Sequence, residues 1–140
     1  MYKKILLPTD GSEYSSREIL RASKLLADDG EIIILSVAIE LRKTTFQRSK
    51  DIDKTNKKAL KEAEEYVKEM KGAFDDSINV KTKVVTGLPS EAIVQVSEEE
   101  GADLIIIASS GKSGLHRFVI GSVAEEVLKN ANIDVLLVHD

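Results

Sequence analysis

Short, strongly apolar runs alternate along the chain with longer segments in which apolar residues recur every three or four positions. Two runs, Ile32 to Leu35 and Leu104 to Ile107, are continuously apolar, which is typical of parallel strands covered on both faces. The pattern predicts five β-strands: Lys4 to Pro8, Glu31 to Ile39, Asn79 to Val85, Asp103 to Ala108 and Asp134 to His139.

Four amphipathic segments separate these strands and predict helices. Their apolar stripes are Ile19, Ala22 and Leu26; Ala59, Ala63, Val67, Met70 and Phe74; Ala92, Ile93 and Val96; and Val123, Ala124, Val127 and Leu128. Gly30, Gly72 and Gly101 predict left-handed helix ends, and Pro89 is placed to open the third helix. The order predicts one α/β domain over residues 1–140, a five-stranded parallel sheet with helices on both faces.

Composition excludes several classes of function. The 140 residues include no cysteine, which excludes thiol chemistry and cysteine-based zinc sites. A net charge of -4 and the absence of tryptophan argue against a nucleic-acid-binding protein. No apolar run approaches the roughly 20 residues of a membrane helix. Pro8 and Asp10 follow the first residues too closely for a signal peptide, so we expect a cytoplasmic protein without membrane contact.

The carboxyl ends of the strands are the expected ligand-binding edge of such a sheet, at the point where strand order reverses. This rule directs attention to Pro8 to Ser12, Val37 to Ile39, Thr86 to Pro89 and Ala108 to Gly111. The stretch from Glu40 to about Lys58 is predicted to be a long basic loop, either a binding loop or an ordinary solvated one.

A glycine- and serine-rich segment joins the fourth strand to the last helix. Its backbone amides could approach an anion at the helix start, whereas Ser122 followed by Glu125 could equally be an ordinary capping box. The Gly111-Lys112-Ser113 sequence is not a P-loop, because Ile106 occupies the position of the required first glycine. The three-glycine dinucleotide fingerprint is also absent.

Asp10 allows two interpretations, a carboxylate that accepts the hydroxyls of a ribose or a cap of the first helix. His116 and His139 are far apart in sequence, which argues against a metal site or a Ser-His-Asp triad. The final strand has almost no polar alternation and predicts a homodimer that pairs through Asp134 to Val138. An interior or covered strand is the alternative.

Three segments resemble the universal stress protein family over nearly the whole chain. Tyr2 to Ser12 is similar to the opening strand and loop of the family, Gly87 to Pro89 to its third-strand exit, and Gly111 to Val138 to its C-terminal third. The ATP-binding branch carries Gly-x-x-Gly, nine residues, then Gly-Ser or Gly-Thr. Here Gly111 and the Gly121-Ser122 pair fit that pattern, while Ala108 replaces the first glycine.

The resemblance implies a Rossmann-like sandwich, a homodimer and an ATP site, with Mg²⁺ or Mn²⁺ as a possible companion. It assigns Asp10 to the ribose, Val37 and its neighbours to the adenine, Ala108 to Gly111 to the ribose and α-phosphate, and Gly121 to Val123 to the terminal phosphates. Lys112 and Arg117 could add charge there or be solvated. The predicted binding residues are Pro8, Thr9, Asp10, Val37, Ala108, Ser109, Gly111, Gly121, Ser122 and Val123.

The resemblance and the lack of catalytic machinery favour an ATP-binding dimeric module that acts as a stress-response or signalling switch on a protein partner not identified by the sequence. No catalytic residue is assigned. Two alternatives stay open: a nucleotide-free dimeric scaffold or chaperone-like stress protein, which Ala108 favours, and a slow ATP hydrolase.

Overall fold

The fold follows the alternation of strands and helices in the sequence. The computed structural model describes residues 1–12, 15–41, 49–109 and 121–138. Its strands are β1 (Tyr2–Pro8), β2 (Leu26–Ala38), β3 (Asn79–Thr86), β4 (Leu104–Ala108) and β5 (Asp134–Val138). Its helices are α1 (Ser15–Leu25), α2 (Ser49–Gly72), α3 (Pro89–Glu99) and α4 (Ser122–Asn130). The strands form one parallel sheet in the order β3-β2-β1-β4-β5.

Alternate strand residues point to opposite faces of this sheet. Helices cover both faces, so both sets of side chains are buried. Ile5 and Leu7 of β1 pack with residues of α1 and α2 on one face. Leu6 between them packs with residues of α3 and α4 on the other face. The predicted α/β class, the parallel sheet and the helices on both faces are therefore confirmed.

The predicted long loop from Glu40 to about Lys58 is wrong in its second half, because α2 already begins at Ser49. Ile52 is only 4% exposed and precedes Ala59 by seven residues, so it extends the apolar stripe of the helix by two turns. The Asn56 side chain also bonds both the backbone N–H and the C=O of Leu41, at 2.8 and 3.2 Å. These bonds tie the start of α2 to the chain that leaves β2.

The predicted left-handed helix ends are confirmed at one glycine of three. Gly101 follows α3 with a φ of 68°, whereas neither Gly30 nor Gly72 has a positive φ. Helix α1 ends at Leu25, and Gly30 lies inside β2 because Leu26 already pairs with Tyr2 of β1. Gly72 is the last residue of α2. Pro89 opens α3, as predicted.

Strand β5 forms one edge of the sheet, beside β4. Val135, Leu136 and Leu137 are only half-buried, and their side chains reach the apolar clusters on the two faces. The position at the edge agrees with the expectation from sequence, while the pairing with a second copy stays a prediction.

The turn after β1 requires glycine for two independent reasons. Gly11 has a φ of 80°, a conformation that residues with a Cβ rarely adopt. A Cβ built on Gly11 would also lie 2.5 Å from the Tyr66 ring of α2. The Tyr66 ring therefore packs closely against the backbone of this turn.

We expect Gly11→Ala to destabilise the protein more than Gly101→Ala. Both changes place a Cβ on a left-handed backbone, at a cost of about 1 kcal/mol each. At Gly101 no heavy atom lies within 4 Å of the added methyl, whereas at Gly11 the methyl meets the Tyr66 ring, which costs about 1–3 kcal/mol more. Urea unfolding of both variants measures the difference, and Tyr66→Ala should partly rescue Gly11→Ala. Equal losses in the two glycine variants would contradict this account.

Candidate functional site

A cavity of about 370 Å³ opens at the carboxyl ends of the strands. The chain leaves β1 toward α1 on one face and leaves β4 toward α4 on the other, so a crevice forms between these two neighbouring strands. The ends of β1, β2 and β4 and residues of α1, α3 and α4 line it. Its volume lies within the range of small-molecule sites.

One end of the cavity is apolar. Leu35, Val37 and Ile39 contribute from β2 and its exit, and Pro89 and Ile93 contribute from α3. Leu35 is fully buried and Ile93 is 3% exposed, whereas Ile39 at the mouth is 57% exposed. Such a surface can bury the faces of a flat, weakly polar group.

The opposite end is formed by the start of α4. Gly121, rather than Ser122, is the N-cap residue, and no side chain among the described residues caps the helix. Ser122 is thus the first helical residue, and Glu125 pairs with Lys129 at 3.2 Å. The capping box suggested as an alternative is therefore not formed. Gly121, Ser122, Val123 and Ala124 line the cavity, so the positive end of the helix dipole faces it.

Asp10 and Thr9 shape the turn after β1. The Asp10 carboxylate accepts a hydrogen bond from the Ser12 N–H at 3.0 Å, and the Thr9 hydroxyl accepts one from the Gly11 N–H at 3.2 Å. Asp10 does not cap α1, because that helix begins five residues later at Ser15. Asp10 is exposed and lines the cavity.

Glu18 of α1 is a site residue that the sequence analysis missed. Its side chain lines the cavity although the residue is only 3% exposed. Burial raises the pKa of Glu18 well above its usual value, nearby Asp10 raises it further, and a hydrogen bond from the Ala108 backbone N–H lowers it. Its Oε2 atom has no hydrogen-bond partner within the described part of the chain. The sequence signal was a carboxylate four residues before Ala22, on the apolar face of the helix.

Ala108 is accommodated without backbone strain. No residue other than glycine has a positive φ in the described ranges, and Ala108 is an ordinary strand residue paired with Val138. Its methyl group lines the cavity but does not fill it. The replacement of glycine therefore costs little in the protein alone.

The structure brings nearly all the predicted binding residues to this one cavity. Pro8, Thr9, Asp10, Val37, Ala108, Ser109, Gly121, Ser122 and Val123 line it. Gly111 lies outside the described residues, as do Lys112, His116, Arg117 and His139. The nine residues that line the cavity lie close together, whereas their binding to a ligand stays a prediction.

Two features are absent from the described ranges. No cluster of three or more His, Cys, Asp or Glu side chains is placed there to hold a metal ion. No helix there is long and apolar enough to cross a membrane.

A parallel sheet covered by helices on both faces, with a cleft where strand order reverses, defines a doubly wound α/β protein. The sequence profile of the Universal stress protein family matches residues 1–139, and the chain belongs to this family. A universal stress protein of Methanocaldococcus jannaschii is 36% identical over 155 residues, covering 99% of this chain and 95% of the relative.

Solved structures agree with this assignment. The structure of that Methanocaldococcus protein matches with a TM-score of 0.83 and 36% identity, over 99% of this chain and 96% of the other. A universal stress protein crystallised in complex with cAMP matches with a TM-score of 0.61 and 29% identity, over 99% of this chain and 97% of the other.

We expect Glu18→Gln to become more stable relative to the wild type as pH rises. The pKa of Glu18 is higher in the folded than in the unfolded chain, so its contribution is fully present below the unfolded value near 4.5. It is lost as pH rises through the folded value, by about 1.4 kcal/mol for each unit of difference. The glutamine side chain of the variant does not titrate and escapes this loss.

Urea unfolding between pH 4 and 8 measures the two stability curves. Glu64→Gln, at an exposed position of α2, serves as the control and should follow the wild-type curve. Parallel curves for Glu18→Gln and the wild type would contradict the burial argument.

Proposed function

We propose that this protein is an ATP-binding module of the universal stress protein family. The observation that carries the proposal is the convergence of the predicted binding residues on one cavity at the switch point of the sheet. The resemblance to the family selected these residues from segments far apart in the chain. Their meeting at one place supports a shared ligand.

The polarity of the cavity supports a nucleotide in one orientation. A purine base fits the apolar end formed by Val37, Ile39 and Ile93. Phosphates fit the opposite end, where the uncapped start of α4 presents backbone amides and the positive end of its dipole. The sugar then lies in the middle, beside Asp10. Mg²⁺ or Mn²⁺, where present, would accompany the phosphates.

A relative also supports a nucleotide ligand. The universal stress protein in complex with cAMP is 29% identical over 99% of this chain, and cAMP shares adenine, ribose and a phosphate with ATP. We propose that ATP occupies the cavity of this protein, and that its presence is reported to a protein partner as a stress or signalling switch. The cytoplasmic location and a single domain over residues 1–140 stay part of this proposal.

We further propose a homodimer that pairs through β5. The strand lies at the sheet edge with half-buried apolar side chains, and its outer backbone groups could pair with a second copy. A two-fold axis would bring two β5 strands together antiparallel and extend the sheet across both copies.

ATP should bind the wild-type protein and stabilise it against unfolding. Isothermal titration calorimetry with ATP and Mg²⁺ measures the affinity, and saturation at about 100 times Kd should add about 2.7 kcal/mol of stability. Asp10→Ala should weaken binding about 10-fold through lost hydrogen bonds to a charged group. Gly121→Val should weaken it further, because a branched side chain is added at the helix start that faces the ligand.

Asp76→Ala is the matched control. This exposed carboxylate lies in the turn between α2 and β3, at the amino end of β3, whereas the cavity lies at the carboxyl ends of the strands. The variant should bind ATP as the wild type does. Absence of binding heat and of thermal protection in the wild type would remove the nucleotide function and favour the nucleotide-free scaffold.

Val135→Lys in β5 should convert a dimer to a monomer, because a second copy would have to bury the added charge. Val80→Lys is the matched control, a half-buried valine of β3 at the other edge of the same sheet. Light scattering measures the mass, and circular dichroism checks that both variants fold. A monomeric wild type would overturn the proposed dimer, and an equal effect of the two lysines would place the interface elsewhere.

A further inference from the structure

Glu18 has a buried carboxyl group, and one of its two oxygens has no hydrogen-bond partner in the described ranges. The residue is 3% exposed, and the Ala108 N–H donates a hydrogen bond to its carboxyl group. Oε2 has no partner within the described residues, although the side chain lines the cavity. Leaving a buried polar atom without a hydrogen bond is destabilising, so a residue with a purely structural role would be expected to find a partner.

The place of Glu18 in the cavity indicates which part of a ligand it meets. It lies close enough to Asp10 for the two carboxyl groups to interact, and it bonds the backbone at the end of β4. These groups belong to the turn after β1, to α1 and to β4, between the apolar end on β2 and α3 and the helix start on α4. In a nucleotide bound as proposed above, this middle position belongs to the sugar.

We propose that Glu18 is a specificity-determining residue, whose carboxyl oxygen without a partner in the described ranges joins Asp10 in hydrogen-bonding the vicinal diol of a ribose. The proposal rests on the nucleotide function stated above. It adds that the cavity selects ribonucleotides over nucleotides that lack a sugar hydroxyl.

The chemistry of the two carboxyl groups fits a diol. Burial and the neighbouring Asp10 favour the neutral acid form of Glu18, which has one oxygen to accept and one O–H to donate. The accepting oxygen takes the Ala108 N–H, and the O–H is left for a ligand oxygen. The Asp10 carboxylate accepts a hydrogen bond from a sugar hydroxyl. A sugar diol supplies both a donor and an acceptor, whereas phosphate oxygens would be repelled by Asp10.

Two variants separate this role from a structural one. In Glu18→Gln the amide oxygen accepts the Ala108 N–H and the NH₂ group donates to the ligand, as the neutral acid would. Glu18→Met has a similar volume without these groups. Calorimetry with ATP, 2′-deoxy-ATP and 3′-deoxy-ATP on the wild type and both variants gives the affinity ratios, and circular dichroism checks the folding.

The wild type should bind ATP about 10-fold more tightly than at least one deoxy analogue, the fold-change of about one lost hydrogen bond. Glu18→Gln should keep this ratio, and Glu18→Met should reduce it to about 2-fold or less.

An unchanged ratio in Glu18→Met would overturn the role of Glu18 while leaving the nucleotide function standing. If Glu18→Met does not fold, the affinities of the wild type still test the proposal. Equal affinities for ATP and both deoxy analogues would overturn it. A wild type that binds no ATP overturns this inference together with the proposed function.

Discussion

The cavity depends on one topological constraint, the reversal of strand order between β1 and β4. Parallel strands need crossover helices, and right-handed crossovers carry the chain to one face on leaving β1 and to the other on leaving β4. The two exits therefore separate and leave a crevice that neither helix covers. The strands that lead to this edge are buried and continuously apolar, so packing on both faces places the exits relative to one another.

The walls of the crevice differ in polarity because they come from different parts of the fold. The apolar end continues the core cluster under α3, where Leu35 and Ile93 are already buried. The other end is a helix start whose N-cap residue, Gly121, has no side chain to satisfy the exposed amides. A cleft with an apolar end and an amide-lined end is suited to a ligand that is itself apolar at one end and anionic at the other.

The buried carboxyl group of Glu18 lowers the stability of the fold when it is ionised. A carboxyl group on the buried face of α1, next to Asp10, destabilises its own ionised form, and a core of leucine and alanine would avoid this cost. The Ala108 N–H offsets part of it. The same contact joins α1 to the end of β4, so the residue that replaces the family's glycine and the buried carboxyl group share one hydrogen bond.

The sequence by itself determined the class of fold and most of the candidate site. Its apolar periods located the strands and helices of the described ranges, and the resemblance to the universal stress proteins selected site residues, among them Asp10 and Gly121, that do meet. Periodicity is a local property, and these elements are locally encoded. The sequence did not determine where α1 gives way to β2, because the pairing of Leu26 with Tyr2 is a contact between distant segments. Only the tertiary structure decided that Gly121 rather than Ser122 caps α4 and that Glu18 is buried. Each of these depends on what packs against the residue, which a linear pattern does not record.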